Sequence, residues 1–402
     1  MARIMMVNTV CTGSHGRIMC DLRTAAEKKG HEVRIAYGRG ADCGGQTIRI
    51  GSRRDVLAHV ALTRLLDKHA RGSKGATRAF IRQLDAFSPE LLHLHNVHGY
   101  YLHAETLFSY IREHALPTLW THHDCWAVTG HCSHFVRANC DRWRSECHDC
   151  PLKRAYPASY GLDASRENWQ WKRAAFSGLP SLRIVSPSQW LDGVMADSML
   201  RDTPRQVIGN GVDLSLFVPT SDASVRSRLG IDPNVPLLLA VASPFDERKG
   251  FSDALRLAES LSGKAHVCLV GLTDKQMKRL PGYVTGITRT DGPEALVALY
   301  GAADCLINPT YEDTYPTVNM EALACGTPVA CYGVGGATEQ LREPVGVAVR
   351  VGDVSALAKA AMRLAKQKRL LSPICRERAE QMFDRRKAIE AYMGIYQELT
   401  GA

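Results

Sequence analysis

The sequence has no long hydrophobic run. Across 402 residues, no apolar stretch reaches the roughly 20 residues that span a bilayer. The first strand-like segment offers only Ile4-Met5-Met6-Val7 before polar Asn8, too short for the core of an export signal and without a small-residue cleavage site. Together these absences predict a cytoplasmic location. Internal repeats of fixed period and low-complexity tracts are also missing, which excludes a solenoid and a biased linker protein. What is present, 45% apolar and 23% charged residues, suits an ordinary globular chain. Its length exceeds what one core usually serves, so two domains are expected.

Cysteine is plentiful, with thirteen in the chain. A disulfide scaffold is nonetheless disfavoured by the odd number, the large size and the lack of an export signal. Cys268, Cys305 and Cys331 sit singly in apolar segments, where a thiol packs as a small hydrophobe. Only Cys132, Cys140, Cys147 and Cys150 are dense, in the pattern C-x7-C-x6-C-x2-C. The last pair has zinc-ligand spacing and the other two spacings are irregular. A structural Zn²⁺ and four reduced thiols in a polar loop are both open readings. The net charge of +9 favours anionic partners: phosphorylated ligands, nucleic acid or a membrane surface.

Strand and helix signals alternate along both halves, as in parallel sheets covered by helices. In the first half, strands are expected at 3–9, 31–37, 91–95, 118–121 and 182–185, with a helix over 18–29 closed by Gly30. The basic stretch 51–83, with leucines at helical spacing around Leu57, Leu62 and Leu65, reads as a helix packing those leucines on the sheet. An amphipathic helix on an anionic surface is the other reading. A Gly/Pro/Asp-rich stretch over 203–219 is the expected hinge. Beyond it, strands are expected at 237–242, 266–270, 305–307 and 329–332, with helices over 292–302 and 318–325. Two such α/β domains predict a cleft for a ligand.

The most informative segment runs from Thr310 to Val329. A strand ends near Ile307, and a polar loop leads to a helix starting at Thr317 and Val318 that stops at Gly326-Thr327-Pro328. A helix N-terminus entered from a strand's C-terminal end presents free N–H groups and a positive dipole end, both suited to a phosphate. Asp313 before the helix and Glu321 on its first turn are carboxylates able to accept bonds from sugar hydroxyls.

This stretch, with Glu321-Ala322-Leu323-Ala324-Cys325-Gly326-Thr327-Pro328-Val329, resembles the donor signature of family-4 retaining glycosyltransferases of the GT-B fold. The resemblance implies that Glu321 contacts the ribose of a nucleoside-diphosphate sugar. Asp313 takes the place of the family's first glutamate and would face the transferred sugar. Arg248-Lys249-Gly250 matches the family's Lys-Gly, whose cations hold the diphosphate as it leaves. Pro244 stands where the family often has arginine, so Arg248 would take that part. Gly271 matches the glycine that admits the nucleotide, and Gly335-Gly336 with Glu339 matches the loop after 329–332. In the first half, Gly13-Ser14-His15-Gly16-Arg17 resembles the glycine-rich loop near the donor phosphate or acceptor.

His93-Leu94-His95-Asn96 and Thr121-His122-His123-Asp124 end expected strands. A metal site is one reading of such histidines. The resemblance implies instead that no catalytic metal is needed, with His123 bonding the donor sugar, Asp124 orienting it, and His95 and Asn96 on the acceptor side. His122 is read as structural. The Thr-x-His-Asp-x-Trp segment followed by the cysteine group is similar to a bacterial subgroup acting in exopolysaccharide, capsule or colanic-acid assembly.

The fold class implied is therefore α/β, GT-B, with two facing Rossmann-like domains. An acceptor-side domain would span 1–209 with a cysteine-rich insert at 130–151. A nucleotide-sugar domain would span 210–384, and 385–402 would be a helix returning to the first. The activity implied is retaining transfer from a nucleoside-diphosphate sugar to a saccharide or polyprenyl-diphosphate-linked saccharide. The enzyme would be cytoplasmic or peripheral on the inner membrane face. A sugar-nucleotide epimerase and a non-catalytic saccharide-binding relative are the alternatives. Nucleic acid is not expected as a partner, because the strongest pattern is an acidic, sugar-compatible site.

Overall fold

The computed structural model describes residues 1–220 and 224–401. It divides into two compact units, Met1–Gly209 with the chain from Ala388 onward, and Asn210–Lys387.

The first unit is built on seven parallel strands: β1 (Arg3–Asn8), β2 (Glu32–Tyr37), β3 (Thr47–Arg49), β4 (Leu91–Leu94), β5 (Thr118–Thr121), β6 (Leu182–Ser186) and β7 (Arg205–Val207). Their order is β3-β2-β1-β4-β5-β6-β7. The central strands are continuous apolar runs because helices cover both faces of a parallel sheet; Ile4, Met5, Met6 and Val7 are all fully buried. The two edge strands, β3 and β7, escape the sequence pattern because each has three residues and a polar surface. β7 lies inside the stretch expected as a hinge, and the division falls after it.

The stretch 51–83 is not one helix. It forms Arg53–Leu66 and Lys74–Phe87, separated by a short connection. The second is conventionally amphipathic and buries Thr77, Phe80, Leu84 and Phe87. The first is the reverse. Its buried residues are His59 and Thr63; of the leucines expected on the sheet, Leu62 is half-buried, whereas Leu57 and Leu65 are 58% and 63% exposed. The helix Arg385–Thr400 ends the described chain, and from Ala388 its residues belong to the first unit. Tyr392, Met393, Ile395 and Tyr396 are buried with β1, β2 and β4. The Tyr396 hydroxyl meets His93 Nδ1 at 2.6 Å, and His93 Nε2 meets the Thr121 hydroxyl at 2.8 Å.

The second unit has six parallel strands: β8 (Leu237–Val241), β9 (His266–Val270), β10 (Val284–Ile287), β11 (Cys305–Asn308), β12 (Val329–Tyr332) and β13 (Gly346–Val349). Their order is β10-β9-β8-β11-β12-β13. In each sheet the order reverses beside the first strand, between β1 and β4 and between β8 and β11. Open α/β sheets bind ligands outside the carboxyl ends of the strands at such a reversal.

Tyr396→Phe keeps the ring in the core but leaves the buried His93 Nδ1 without that partner. We expect a loss of about 1–3 kcal/mol, read as a lower midpoint in urea denaturation. An unchanged midpoint would show that the hydroxyl does not anchor the helix.

Candidate active site

In the second unit, β8 leads into a single 3₁₀ turn, Glu247–Lys249, whose Lys249 N–H is capped by the Asp246 carboxylate at 3.0 Å. The loop after β11 is fastened to this turn at two points. Tyr311 N–H donates to the Arg248 carbonyl at 2.9 Å, and Lys249 Nζ pairs with Asp313 Oδ2 at 2.5 Å. Asp313 Oδ1 accepts the Tyr315 N–H at 3.1 Å. Lys249 and Asp313 thus meet at the β8/β11 reversal, both half-buried.

The same loop enters the helix Thr317–Ala324 through Pro316, and no side chain caps its N-terminus. Thr317 and Val318 are half-buried, while every residue from Asn319 to Ala324 is buried. A relay of buried carboxamides fixes where this helix begins. Asn308 Nδ2 donates to Asn319 Oδ1 (2.9 Å), Asn319 Nδ2 to Gln340 Oε1 (3.0 Å), and Gln340 Nε2 to the Pro316 carbonyl (3.1 Å). Glu321 lies in the second turn, not the first, because the helix starts at Thr317. Its Oε2 accepts the Tyr300 hydroxyl at 2.8 Å.

Gly271 follows β9 with φ +97°, and a Cβ there would stand 1.6 Å from the Ala242 carbonyl oxygen, so only glycine fits. Gly335 follows β12 and precedes the short helix Ala337–Gln340, which carries Glu339. The Tyr315 phenol is pushed up to about 12 by burial and then by the nearby Glu339 carboxylate, against the opposing effect of Arg378. Gly271, Lys249, Asp313 and Gly335 therefore hang from the carboxyl ends of four adjacent strands, β9, β8, β11 and β12.

One residue that organises this edge was not anticipated. Asp253 Oδ2 accepts the Tyr311 hydroxyl at 2.7 Å and the Tyr332 hydroxyl at 2.5 Å, while Oδ1 pairs with Arg256. Burial opposes its charge, but the bonds from Tyr332, Arg256 and Tyr311 outweigh it and hold the carboxyl below the usual 3.8. The sequence signal was faint: an acid one turn after Lys249, with tyrosines at two strand ends.

In the first unit, Gly16 lies in the opening turn of the helix Gly13–Lys28, where a Cβ would sit 2.4 Å from the Cys11 carbonyl carbon. His95 Nδ1 and His123 Nε2 are hydrogen-bonded at 3.0 Å, with their rings stacked at 5.3 Å. Burial first, then neighbouring histidines, pushes both well below 6.5, so both are neutral at pH 7. His15, whose ring is 5.6 Å from His123, falls to about 4, mainly through burial.

Asp124 does not take the orienting position expected of it. Its Oδ2 pairs with His98 Nε2 at 2.9 Å and its Oδ1 accepts the Trp126 N–H at 2.9 Å, while the bond to His123 Nε2 comes from His95. Burial works against the Asp124 charge, but His98, His134 and the Trp126 amide hold the carboxyl far below its ordinary range. Asn96 is fixed through its backbone: its N–H donates to Asn8 Oδ1 (3.3 Å) and its carbonyl accepts the Thr9 and Tyr101 hydroxyls (3.1 and 2.8 Å). His122 is buried against Trp120, with ring centroids 4.4 Å apart.

Cys132, Cys140, Cys147 and Cys150 line one small pocket. The Cys132 thiol donates a hydrogen bond to the Cys150 sulfur, and the Gly130 N–H donates to Cys147 Sγ at 3.1 Å. All thirteen cysteines are free thiols. Among the described residues, no three His, Cys, Asp or Glu side chains stand ready as they lie to hold a metal ion. Beside the cavity, His131 Nδ1 meets Asp67 Oδ1 at 2.6 Å. The buried Lys172 donates to the Trp126 and Thr129 carbonyls at 2.7 and 2.8 Å. Its Nζ lies 3.5 Å from the centre of the Trp126 ring, and burial pushes the amine down to about 7.

Two Rossmann-like sheets, with polar loops gathered at the carboxyl ends of their strands, form an α/β architecture whose family sequence comparison assigns. The model for Glycosyltransferase Family 4 matches residues 15–216, and the model for Glycosyl transferases group 1 matches residues 222–382. The chain belongs to Glycosyltransferase Family 4 and is a glycosyltransferase of the GT-B fold. It is 24% identical over 408 residues to a protein of Escherichia coli (strain K12) named as the colanic acid biosynthesis glycosyl transferase WcaC, covering 96% of this chain and 97% of that one. It is 30% identical over 220 residues to the D-inositol 3-phosphate glycosyltransferase of Saccharomonospora viridis. That match covers 49% of this chain and 51% of the relative, so it spans about half of that protein. Among solved structures, sucrose-phosphate synthase from Thermosynechococcus elongatus superposes with a TM-score of 0.75 at 19% identity, over 100% of both chains. Anabaena HepE, solved in complex with UDP and glucose, superposes with a TM-score of 0.69 at 14% identity, over 99% of this chain and 100% of that one.

Because the folded Asp253 carboxyl sits below its unfolded value of 3.8, the stability it adds is complete above about pH 4 and is lost as pH falls through the folded value. Asp253→Asn is expected to cost about 1–3 kcal/mol at pH 7. Thermal melts across pH should show the gap to the parent protein closing below about pH 4. A gap independent of pH would remove the charged form of Asp253 from the account.

Proposed function

We propose that the protein is a retaining glycosyltransferase that moves a sugar from a nucleoside-diphosphate sugar to a saccharide or polyprenyl-diphosphate-linked saccharide in surface polysaccharide biosynthesis. The observation that carries the reading is the meeting of Lys249 with Asp313 at the β8/β11 reversal, beside an uncapped helix N-terminus. A cation and free amides at one strand edge suit a diphosphate. Similarity to the colanic acid biosynthesis protein WcaC supports the polysaccharide role, and HepE, solved with UDP and glucose, supports the donor class.

In this mechanism the diphosphate exchanges places with Asp313 on Lys249, with Arg248 and the amides of Thr317 and Val318 completing its cradle. Glu321 accepts from the ribose, Gly271 leaves space for the nucleotide, and Asp313, Gly335 and Glu339 border the sugar. Gly16 leaves room for backbone to approach the donor phosphate. The bond from the anomeric carbon to the diphosphate breaks while the acceptor hydroxyl attacks from the same face. The hydroxyl proton passes to the departing phosphate oxygen. His123, kept neutral and held by His95, donates to or accepts from the sugar; His95 and Asn96 lie on the acceptor side, and Asp124 holds the turn that follows His123 through the Trp126 amide. No catalytic metal enters this scheme.

Glu321→Ala and Lys249→Ala are each expected to lower turnover by at least about a hundredfold, the scale of losing charge stabilisation in a transition state. The half-buried Lys249–Asp313 pair should contribute no more than about 1 kcal/mol to stability, so the Lys249 variant should melt near the parent temperature. Asp313→Glu should retain activity. Near-normal turnover in both alanine variants would defeat the site assignment. Thermal shifts against UDP-, GDP-, TDP- and ADP-sugars identify the donor, and release of nucleoside diphosphate rather than an epimerised sugar nucleotide separates transfer from epimerisation.

The same reading includes a structural Zn²⁺ held by Cys132, Cys140, Cys147 and Cys150, whose side chains line one pocket. Burial pushes the free Cys147 thiol up to about 11, partly offset by the Gly130 amide, so a bound cation would have to supply the rest of the thiolate's stabilisation. Metal analysis of the purified protein should find about one zinc per chain, and a zinc-free, fully folded preparation would dismiss the site.

A further inference from the structure

The helix Arg53–Leu66 is inside-out. Its inward residues are polar and satisfied: His59 Nδ1 meets the Ser73 hydroxyl at 3.0 Å, His59 Nε2 accepts the Gly72 N–H at 3.2 Å, and Thr63 donates to the His59 carbonyl at 2.9 Å. Its outward stripe is Leu57, Ala58, Ala61 and Leu65, spaced by helical turns and all exposed. A helix that turns leucines to water and a histidine inward is not explained by the packing of its own domain.

A second segment extends the stripe. The Tyr160 and Gly161 amides donate to the Arg64 carbonyl at 2.8 and 3.1 Å, and the Leu162 amide donates to the Leu65 carbonyl at 3.0 Å. These bonds satisfy carbonyls at the helix C-terminus and hold Tyr160 and Leu162 beside Leu65, at 63% and 59% exposure. The patch thus joins residues about 100 positions apart in sequence, and backbone bonds fix its shape.

Its exposed charge is predominantly positive, with Asp163 an exposed acid beside Leu162. Arg53, Arg54 and Arg64 are exposed along the same helix, with the Arg64 guanidinium 5.9 Å from the centre of the Tyr160 ring. The nearby acids are turned to internal duties. Asp55 caps the helix through Ser52, Asp67 is buried against His131, and Asp163 accepts the Cys150 and Ser165 amides. A second copy of the same face would bring arginines against arginines.

From these observations we infer that the outward face of Arg53–Leu66, with Tyr160 and Leu162, seats the protein on an anionic bilayer surface. The leucines enter the headgroup boundary, the arginines meet lipid phosphates, and Tyr160 lies at the interface. This deepens the proposal of a lipid-linked acceptor by naming the surface that brings the enzyme to it.

The test is flotation of the full chain with vesicles of phosphatidylethanolamine and phosphatidylglycerol, against vesicles of phosphatidylcholine alone. No donor or acceptor is present, so the outcome is independent of whether the transfer chemistry is correctly assigned. The parent protein should float with the anionic vesicles and lose binding as salt rises. A Leu57→Ser, Leu65→Ser, Leu162→Ser variant should lose at least about tenfold in partitioning, as should Arg53→Gln, Arg54→Gln, Arg64→Gln, both with parental melting temperatures. Equal binding to both vesicle types, or undiminished binding by the folded leucine variant, would overturn the inference. So would light scattering that shows a dimer abolished by the leucine substitutions, which assigns the face to a second copy.

Discussion

Three buried carboxamides decide where the helix Thr317–Ala324 begins. Asn308 at the end of β11, Asn319 inside the helix and Gln340 beyond β12 pass a hydrogen bond from one to the next, ending on the Pro316 carbonyl. A helix buried along almost its whole length cannot settle its ends against water, so internal polar partners must set them. By engaging the carbonyl side of the entry, the relay leaves the amide side of the first turn facing the loop. Proline at the N-cap provides no competing side-chain acceptor. The position of Asp313, and through it that of Lys249, follows from this start.

Much of this was legible in the sequence because the central strands of a parallel sheet must be apolar on both faces. Leu237 to Val241 and Val329 to Tyr332 could hardly be anything else. The edge strands were not legible, since Arg205-Gln206-Val207 carries no apolar run and pairs only through backbone. The helix stop at Gly326-Thr327-Pro328 was plain from local chemistry. The roles of Asn319, Gln340 and Asp253 were hidden, because each acts through partners about 11 to 79 residues away and a lone polar residue has no periodicity. Leu57 and Leu65 misled for a different reason: helical spacing reports that one face is apolar, not which way that face points.

The histidines of the first unit illustrate a similar limit. Two His-rich strand ends were evident, but not their pairing. Burial makes His95 and His123 neutral, and one neutral ring must then donate to the other. Asp124, adjacent in sequence to His123, is drawn to His98 instead because the chain turns sharply into the Trp126 segment, whose amide it also caps. Sequence neighbours at a strand end point to opposite sides, so a motif of consecutive residues splits between two networks.

Lys172 gives the cysteine-rich insert a mechanical meaning. The Lys172 amine grips the carbonyls of Trp126 and Thr129, the two ends of the turn that follows Asp124, from a helix whose Trp169 indole donates to the carbonyl of Trp143 in the wall of the cysteine pocket. The insert is therefore a backing plate rather than an appendage. Thr129 lines the same pocket as the four thiols, so one buried lysine and two carbonyls tie the wall of that pocket to the turn on which Asp124 is mounted.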